Sequence, residues 1–250
     1  MPADPPSVPS RERHSPEWLD NTSRSGDRRS GGETPADREI GAPGWRSRGY
    51  LPHFDSVHLV QHVTFHLADS LPKQVVEQLD AQIQALPQEH QDVERRKRIE
   101  AWMDAGHGCS ILREPAIADM VQGAFLFFDA QRYRLFAWVI MPNHVHTLFQ
   151  PMSGWTVAKI VSSWKKFTAT RISAHPGSAN LPIGGCGRPV WHREYWDRYI
   201  RNESHFQQTM AYMHANPVKA GLVGRAEAWR WSSASLQAVT QESGVPGGMP

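Results

Sequence analysis

The sequence predicts an α+β fold of the ferredoxin-like type: a βαββαβ antiparallel sheet followed by one additional C-terminal helix, which carries Tyr212. Three observations predict it. Residues 57–67 alternate apolar and polar side chains, as a half-buried strand does. Two β-prone runs, 133–141 and 144–150, meet at Pro142-Asn143, a tight connection of turn-forming residues. Apolar residues recur at helical spacing over 157–174 and 203–216, with an aromatic, β-prone run at 190–200 between them.

The elements follow in order. Residues 1–50 are rich in Pro, Ser, Gly and Arg, carry no apolar period, and read as a disordered N-terminal tail. The domain spans 51–236, and 237–250 reads as a flexible C-terminal tail. In the first strand Val57, Leu59, Val63, Phe65 and Leu67 share one face, and His58, His62 and His66 the other. Four residues of extended chain separate those histidines by about 13 Å, so they cannot share an ion; His62 is at most a contributor to a cleft. Helical spacing then covers 73–86, ended by Pro87, and 89–105, whose Arg95-Arg96-Lys97-Arg98 run reads as a solvated face. A third helix, 115–130, offers Ile117, Val121 and Phe125 to the core. Thr156 caps the helix 157–174, and 176–187 is a Gly- and Pro-rich loop. Asn202 caps the last helix, 203–216, which is expected to stop before Pro217.

Composition narrows the classes of function. Of the 250 residues, 40% are hydrophobic, enough for one core; no run is long enough to span a membrane, and the start lacks a signal pattern. A cytoplasmic location is the default expectation. Two cysteines, Cys109 and Cys186, make neither a disulfide framework nor paired zinc ligands. The formal charge of +2 hides an asymmetry: residues 51–151 hold eight basic and twelve acidic side chains, a net of −4. Residues 152–231 hold eleven basic and four acidic, a net of +7. A polyanion would lie along that second half.

Chemistry concentrates in two places. In His144-Val145-His146 both imidazoles leave the strand on one face, the spacing at which two histidines close on a single metal ion. On the last helix Tyr212 and Asn216 are one turn apart on one face, while Phe206, Met210 and Met213 form the packed stripe.

MPNHVH followed by Y-x-x-x-N-P-V-K-A-G-L-V resembles the REP-associated tyrosine transposases, part of the single-tyrosine group named for a His-hydrophobic-His pair. The resemblance runs from about Val57 to Ser235, and Trp229-Arg-Trp-Ser-Ser233 is similar to the closing segment of that family. It implies that Tyr212 is the nucleophile and that His144, His146 and Asn216 hold a divalent ion. The substrate it implies is single-stranded or hairpin DNA, cleaved and rejoined through a 5′-phosphotyrosine. Imidazole with an amide oxygen suits Mg²⁺ or Mn²⁺, although zinc would bind such a site more tightly. Lys159, Lys165, Lys166, Arg198, Arg201 and Lys219 would contact phosphates, and Trp191, Tyr195 or Trp196 could stack on bases. Relatives occur as exchanged dimers, the short REP-associated type as monomers.

Other classes have their own signatures. A domesticated DNA-binding protein would share every fold feature and differ only in not cutting. A histidine-triad hydrolase needs a third His where Leu148 stands, and a structural zinc module needs cysteine pairs. Tyr195 and Tyr199 compete with Tyr212 as nucleophile, but neither has a polar partner at i+4 on a helix.

Overall fold

The computed structural model describes residues 44–47, 52–55, 59–178, 181–184 and 188–236. A two-stranded antiparallel ribbon, β1 (Gly44–Ser47) and β2 (Pro52–Asp55), straddles the boundary expected at residue 51. Residues 1–43 and 237–250, expected as tails, lie outside the described residues.

The domain is built on four antiparallel strands: β3 (Gln61–His66), β4 (Tyr133–Ile140), β5 (His144–Pro151) and β6 (Trp196–Tyr199), in the spatial order β4-β5-β3-β6. This is the expected ferredoxin-like arrangement. Between β3 and β4 lie α1 (Lys73–Ile83), α2 (Gln88–Asp104) and α3 (Pro115–Phe127); α4 (Val157–Ala174) joins β5 to β6, and α5 (Glu203–Lys219) closes the order.

Period-two alternation sorts the sheet into two faces. Val63, Phe65, Leu67, Trp138, Ile140, Val145 and Phe149 pack against α3 and α4 in the larger core. Phe136, Ala137, Val139 and Leu148 pack on the other face with Phe206 and Met213 of α5. A register shift between Leu135 and Ala137 makes Phe136 an extra residue in β4, which lets two successive side chains face α5. Phe136 there meets Phe206 edge-on, with ring centroids 5.4 Å apart. The histidines of β3 and β5 leave the sheet on this α5 side.

The α1–α2 hairpin has its own small core of Leu71, Ile99 and Met103, joined by Trp102 and by Trp196 of β6. Arg95 clamps it with two hydrogen bonds to Asp80. Trp196 therefore ties the hairpin to the α5 side of the sheet edge, which is why α2 ends beside the histidines.

Two expectations need correction. The fourth strand is only Trp196–Tyr199, not 190–200. Trp191 still bridges Leu67, but the carbonyls of His192, Arg193 and Glu194 all accept hydrogen bonds from Lys165 Nζ, at 3.0, 3.3 and 3.0 Å, and so leave the ladder. The last helix does not stop before Pro217, which lies inside α5. Proline forfeits one donated hydrogen bond but has a helix-compatible φ. The terminator is Gly221, at φ +67°, where Leu222 N–H donates to Pro217 C=O and Gly221 N–H to Val218 C=O.

Candidate metal centre and tyrosine site

The register of β3 on β5 sets His66 across from His144 and Thr64 across from His146. Both β5 imidazoles are fully buried, and their Nε2 atoms lie 3.1 Å apart. Asp104, the last residue of α2, brings Oδ1 to 3.4 Å from His144 Nε2. Asn216 of α5 donates from Nδ2 to Asp104 Oδ1 and to His146 Nε2, each at 3.1 Å. Four side chains from three elements thus converge on one point. Ligands about 2.1 Å from an octahedrally bound ion stand about 3.0 Å apart when adjacent, so the spacing is that of a coordination shell. Asp104, His144 and His146 could together hold a metal ion.

Two further features fit an ion there. Asn216 is fully buried, and its Oδ1 has no hydrogen-bond partner among the described residues. A half-turn of the amide would direct that oxygen to the place Nδ2 now holds. The imidazoles are also held for ligation: His144 Nδ1 pairs with Asn143 Oδ1 at 2.7 Å, and His146 Nδ1 with Thr64 Oγ1 at 2.8 Å. Burial, then the neighbouring His144 and His62, keeps the His146 pKa far below its ordinary value, so the ring is neutral.

Tyr212, one helical turn before Asn216, places its ring edge-on to His146, with centroids 5.8 Å apart, and to His62 at 6.5 Å. Lys219 Nζ sits 5.0 Å from the ring centroid. The Asp104 carboxylate stands near enough to the phenol to act on its ionisation. Burial, followed by the charges of Glu100 and Asp104, pushes the Tyr212 pKa well above the ordinary phenol value. The rival tyrosines lie elsewhere: Tyr195 is buried in the core beneath α4, and Tyr199 stands in β6.

A cavity of about 300 Å³ opens beside the tyrosine. Its walls include His62 and Thr64 of β3, Lys97 and Glu100 of α2, Trp196 and Arg198 of β6, and Gln208 and Tyr212 of α5. His62 is therefore a wall of the cleft, as expected.

The expected phosphate contacts divide. Arg198 lines the cavity, Lys219 touches Tyr212, and Arg201 is exposed just beyond β6. Lys159 and Lys166 are exposed on α4, across the sheet from the tyrosine. Lys165 is corrected: its ammonium is engaged by three backbone carbonyls, and burial, partly offset by Glu194, pulls its pKa down to about 7. Of the aromatic candidates, Trp191 and Tyr195 are core residues, and Trp196 lines the cavity.

Asp104, Asn143 and Lys97 were not among the expected site residues. Asp104 and Glu100 stand one turn apart on a helix dominated by its basic run, with no spacing relation to the histidines. Only the packing of α2 brings them in.

Residues 122–216 match the family model described as "Transposase IS200 like", a span that holds His144, His146, Tyr212 and Asn216 and begins after Asp104. The chain is 26% identical over 106 residues to a REP-associated tyrosine transposase of Escherichia coli K12, which covers 40% of this chain and 54% of that protein. It thus spans about half the length of that curated relative. Among solved structures it aligns with a REP-associated tyrosine transposase bound to a REP hairpin, at TM-score 0.46 and 15% identity, over 77% of this chain and 86% of that one. It also aligns with a proposed transposase from Deinococcus radiodurans R1, at TM-score 0.28 and 17% identity, over 68% and 96%. Over residues 122–216, then, the chain is similar to the IS200-like transposases.

Proposed function

We propose that this protein cleaves and rejoins single-stranded or hairpin DNA, using Tyr212 as the nucleophile at a site formed by His144, His146, Asp104 and Asn216. One observation carries the reading: the Tyr212 ring stands edge-on to His146, beside a point where Asp104, His144 and His146 meet a buried amide with an orphaned oxygen. Asp104 is an addition to the set expected from sequence.

A divalent ion such as Mg²⁺ or Mn²⁺, when bound, offsets the charge of a non-bridging phosphate oxygen and orients the scissile bond. The chain's own residues do the rest. The Asp104 carboxylate, near the Tyr212 phenol, would take its proton. As the tyrosine oxygen bonds to phosphorus, the bond from phosphorus to the 3′ oxygen breaks, and that oxygen leaves as a 3′ hydroxyl after taking up a proton. The 5′-phosphotyrosine keeps the phosphodiester energy for rejoining, which attack by water would dissipate. Lys97 and Arg198 on the cavity wall, Lys219 over the Tyr212 ring and the exposed Arg201 would meet the phosphates of the strand, and Trp196 offers a face on which a base could stack.

The alternative is a DNA-binding protein of the same fold that does not cut, and one observation favours it. Burial and two carboxylates hold the Tyr212 phenol protonated. A single experiment separates the two: incubate the protein with hairpin oligonucleotides from its own locus and Mn²⁺, then map any covalent adduct. The proposal expects the nucleotide on the peptide containing Tyr212. Binding without an adduct would leave the binding-only reading.

A further inference from the structure

Asn143 sits in the turn between β4 and β5, 1% exposed, and its carbonyl, Nδ2 and Oδ1 are all engaged. Its backbone carbonyl accepts from Leu67 N at 2.9 Å and from Ser70 Oγ at 3.1 Å, fixing the turn against the end of β3. Its side-chain Nδ2 donates to the carbonyls of Met103, at 3.2 Å, and His107, at 2.8 Å. Those two residues flank Asp104. With Nδ2 facing two carbonyls, Oδ1 must be the atom facing His144 Nδ1, 2.7 Å away. An amide oxygen only accepts, so the proton lies on Nδ1 and the lone pair on Nε2, toward Asp104 and His146.

We infer that Asn143 is the positioning residue of the metal centre. It sets the His144 tautomer with its oxygen and, with its nitrogen, holds the end of α2 so that Asp104 reaches the same point. The inference rests on the proposed metal reading and goes beyond it, because Asn143 touches no ligand atom of the ion. It also accounts for how α2, which lies outside the family-matched residues 122–216, is coupled to a histidine within them. One amide serves both arms, so the two ligands are placed together.

The two arms can be separated. Asn143→Asp keeps an acceptor for His144 Nδ1 but sets an oxygen against the Met103 and His107 carbonyls, releasing Asp104. Asn143→Ala removes both arms. Three readouts apply: melting temperature for folding, Mn²⁺ uptake from the free-ion electron paramagnetic resonance signal, and the ¹⁵N shifts of the His144 ring without metal. In the parent protein the ring should be protonated on Nδ1; protonation on Nε2 would overturn the inference with no variant required. Asn143→Asp should keep that tautomer and lose about 10- to 100-fold in Mn²⁺ affinity, the range for partners of metal ligands. Asn143→Ala should lose at least as much affinity and also the Nδ1-protonated signature. If the parent takes up Mn²⁺ and both variants match it, the role of Asn143 is wrong and the metal reading stands. If the parent takes up none, the metal reading fails and this role fails with it.

Discussion

Asp104 Oδ1 lies 3.4 Å from His144 Nε2, placed there by the last residue of a helix that packs on the edge of the sheet. The Asp104 carboxylate gives the site a formal negative charge that the histidines alone lack. Asp104→Ala should therefore weaken Mn²⁺ uptake by more than about a hundredfold, beyond the loss typical of outer partners, as should His146→Ala. Calorimetric titration with Mn²⁺ checks this, and parent-like affinity in either variant would remove that residue from the ligand set.

Tyr212→Phe keeps the ring against His62 and His146 and removes only the attacking oxygen. The variant should fold, bind hairpin DNA within about twofold of the parent, and form no covalent adduct. Denaturing gel analysis of labelled oligonucleotide decides it; an adduct surviving in the variant would assign the nucleophile elsewhere.

Salt dependence should map the DNA path. Removing one phosphate contact lowers the slope of log K against log salt by about one. Lys97→Ala with Arg198→Ala, both on the cavity wall, should flatten the slope by about two. Lys159→Ala with Lys166→Ala, on the far side of the sheet, should leave it near the parental value. The reverse pattern in filter-binding titrations would move the DNA to α4.

Lys165 is predicted to matter for stability. Its ammonium satisfies the carbonyls of His192, Arg193 and Glu194, so Lys165→Ala leaves those acceptors without their donor in a largely covered site. A loss of about 2–3 kcal/mol in urea unfolding is expected, with no change in the salt slope of DNA binding. An unaltered unfolding midpoint would contradict the carbonyl clamp.

At the end of α5, Gly221→Ala forces a Cβ into left-handed backbone and should cost about 1–2 kcal/mol. Pro217→Ala restores a donor that α5 lacks, although it trims a buried ring, and should cost less than the glycine change. Parallel urea titrations rank the two, and the opposite order would mean that packing of the buried Pro217 ring outweighs the left-handed turn at Gly221.

Much of this was legible in the chain. Alternation over Val63, Phe65 and Leu67 gave the face of β3 that packs on α3 and α4, and the H-x-H pair in β5 gave the shared face of two ligands, because both depend only on period two. The strand is not half-buried as expected, since α2, α5 and β6 also cover its His62, Thr64 and His66 face. Asn216 was legible as a neighbour of Tyr212 through helical spacing. Asp104 was not, since its place depends on how the α1–α2 hairpin docks on Trp196, a contact between distant elements with no local period. Pro217 misled because proline usually ends a helix, while the signal that did end it, Gly221, lay four residues on. Lys165 misled for a similar reason: a lysine among basic neighbours reads as surface until its three carbonyl partners are seen.

The segment after α5 has a consequence for self-association. Trp231 C=O accepts from Ile140 N–H, Val139 bridges Ser232, and Ser233 Oγ accepts from Trp138 N–H. β4 is the outer strand of the sheet on that side, so these contacts occupy backbone groups that a second chain would need in order to extend the sheet. At the opposite margin β6 offers only four residues. Removing residues 229–236 would uncover a long, apolar strand margin, and the shortened chain should form sheet-extended aggregates in light scattering where the full chain does not.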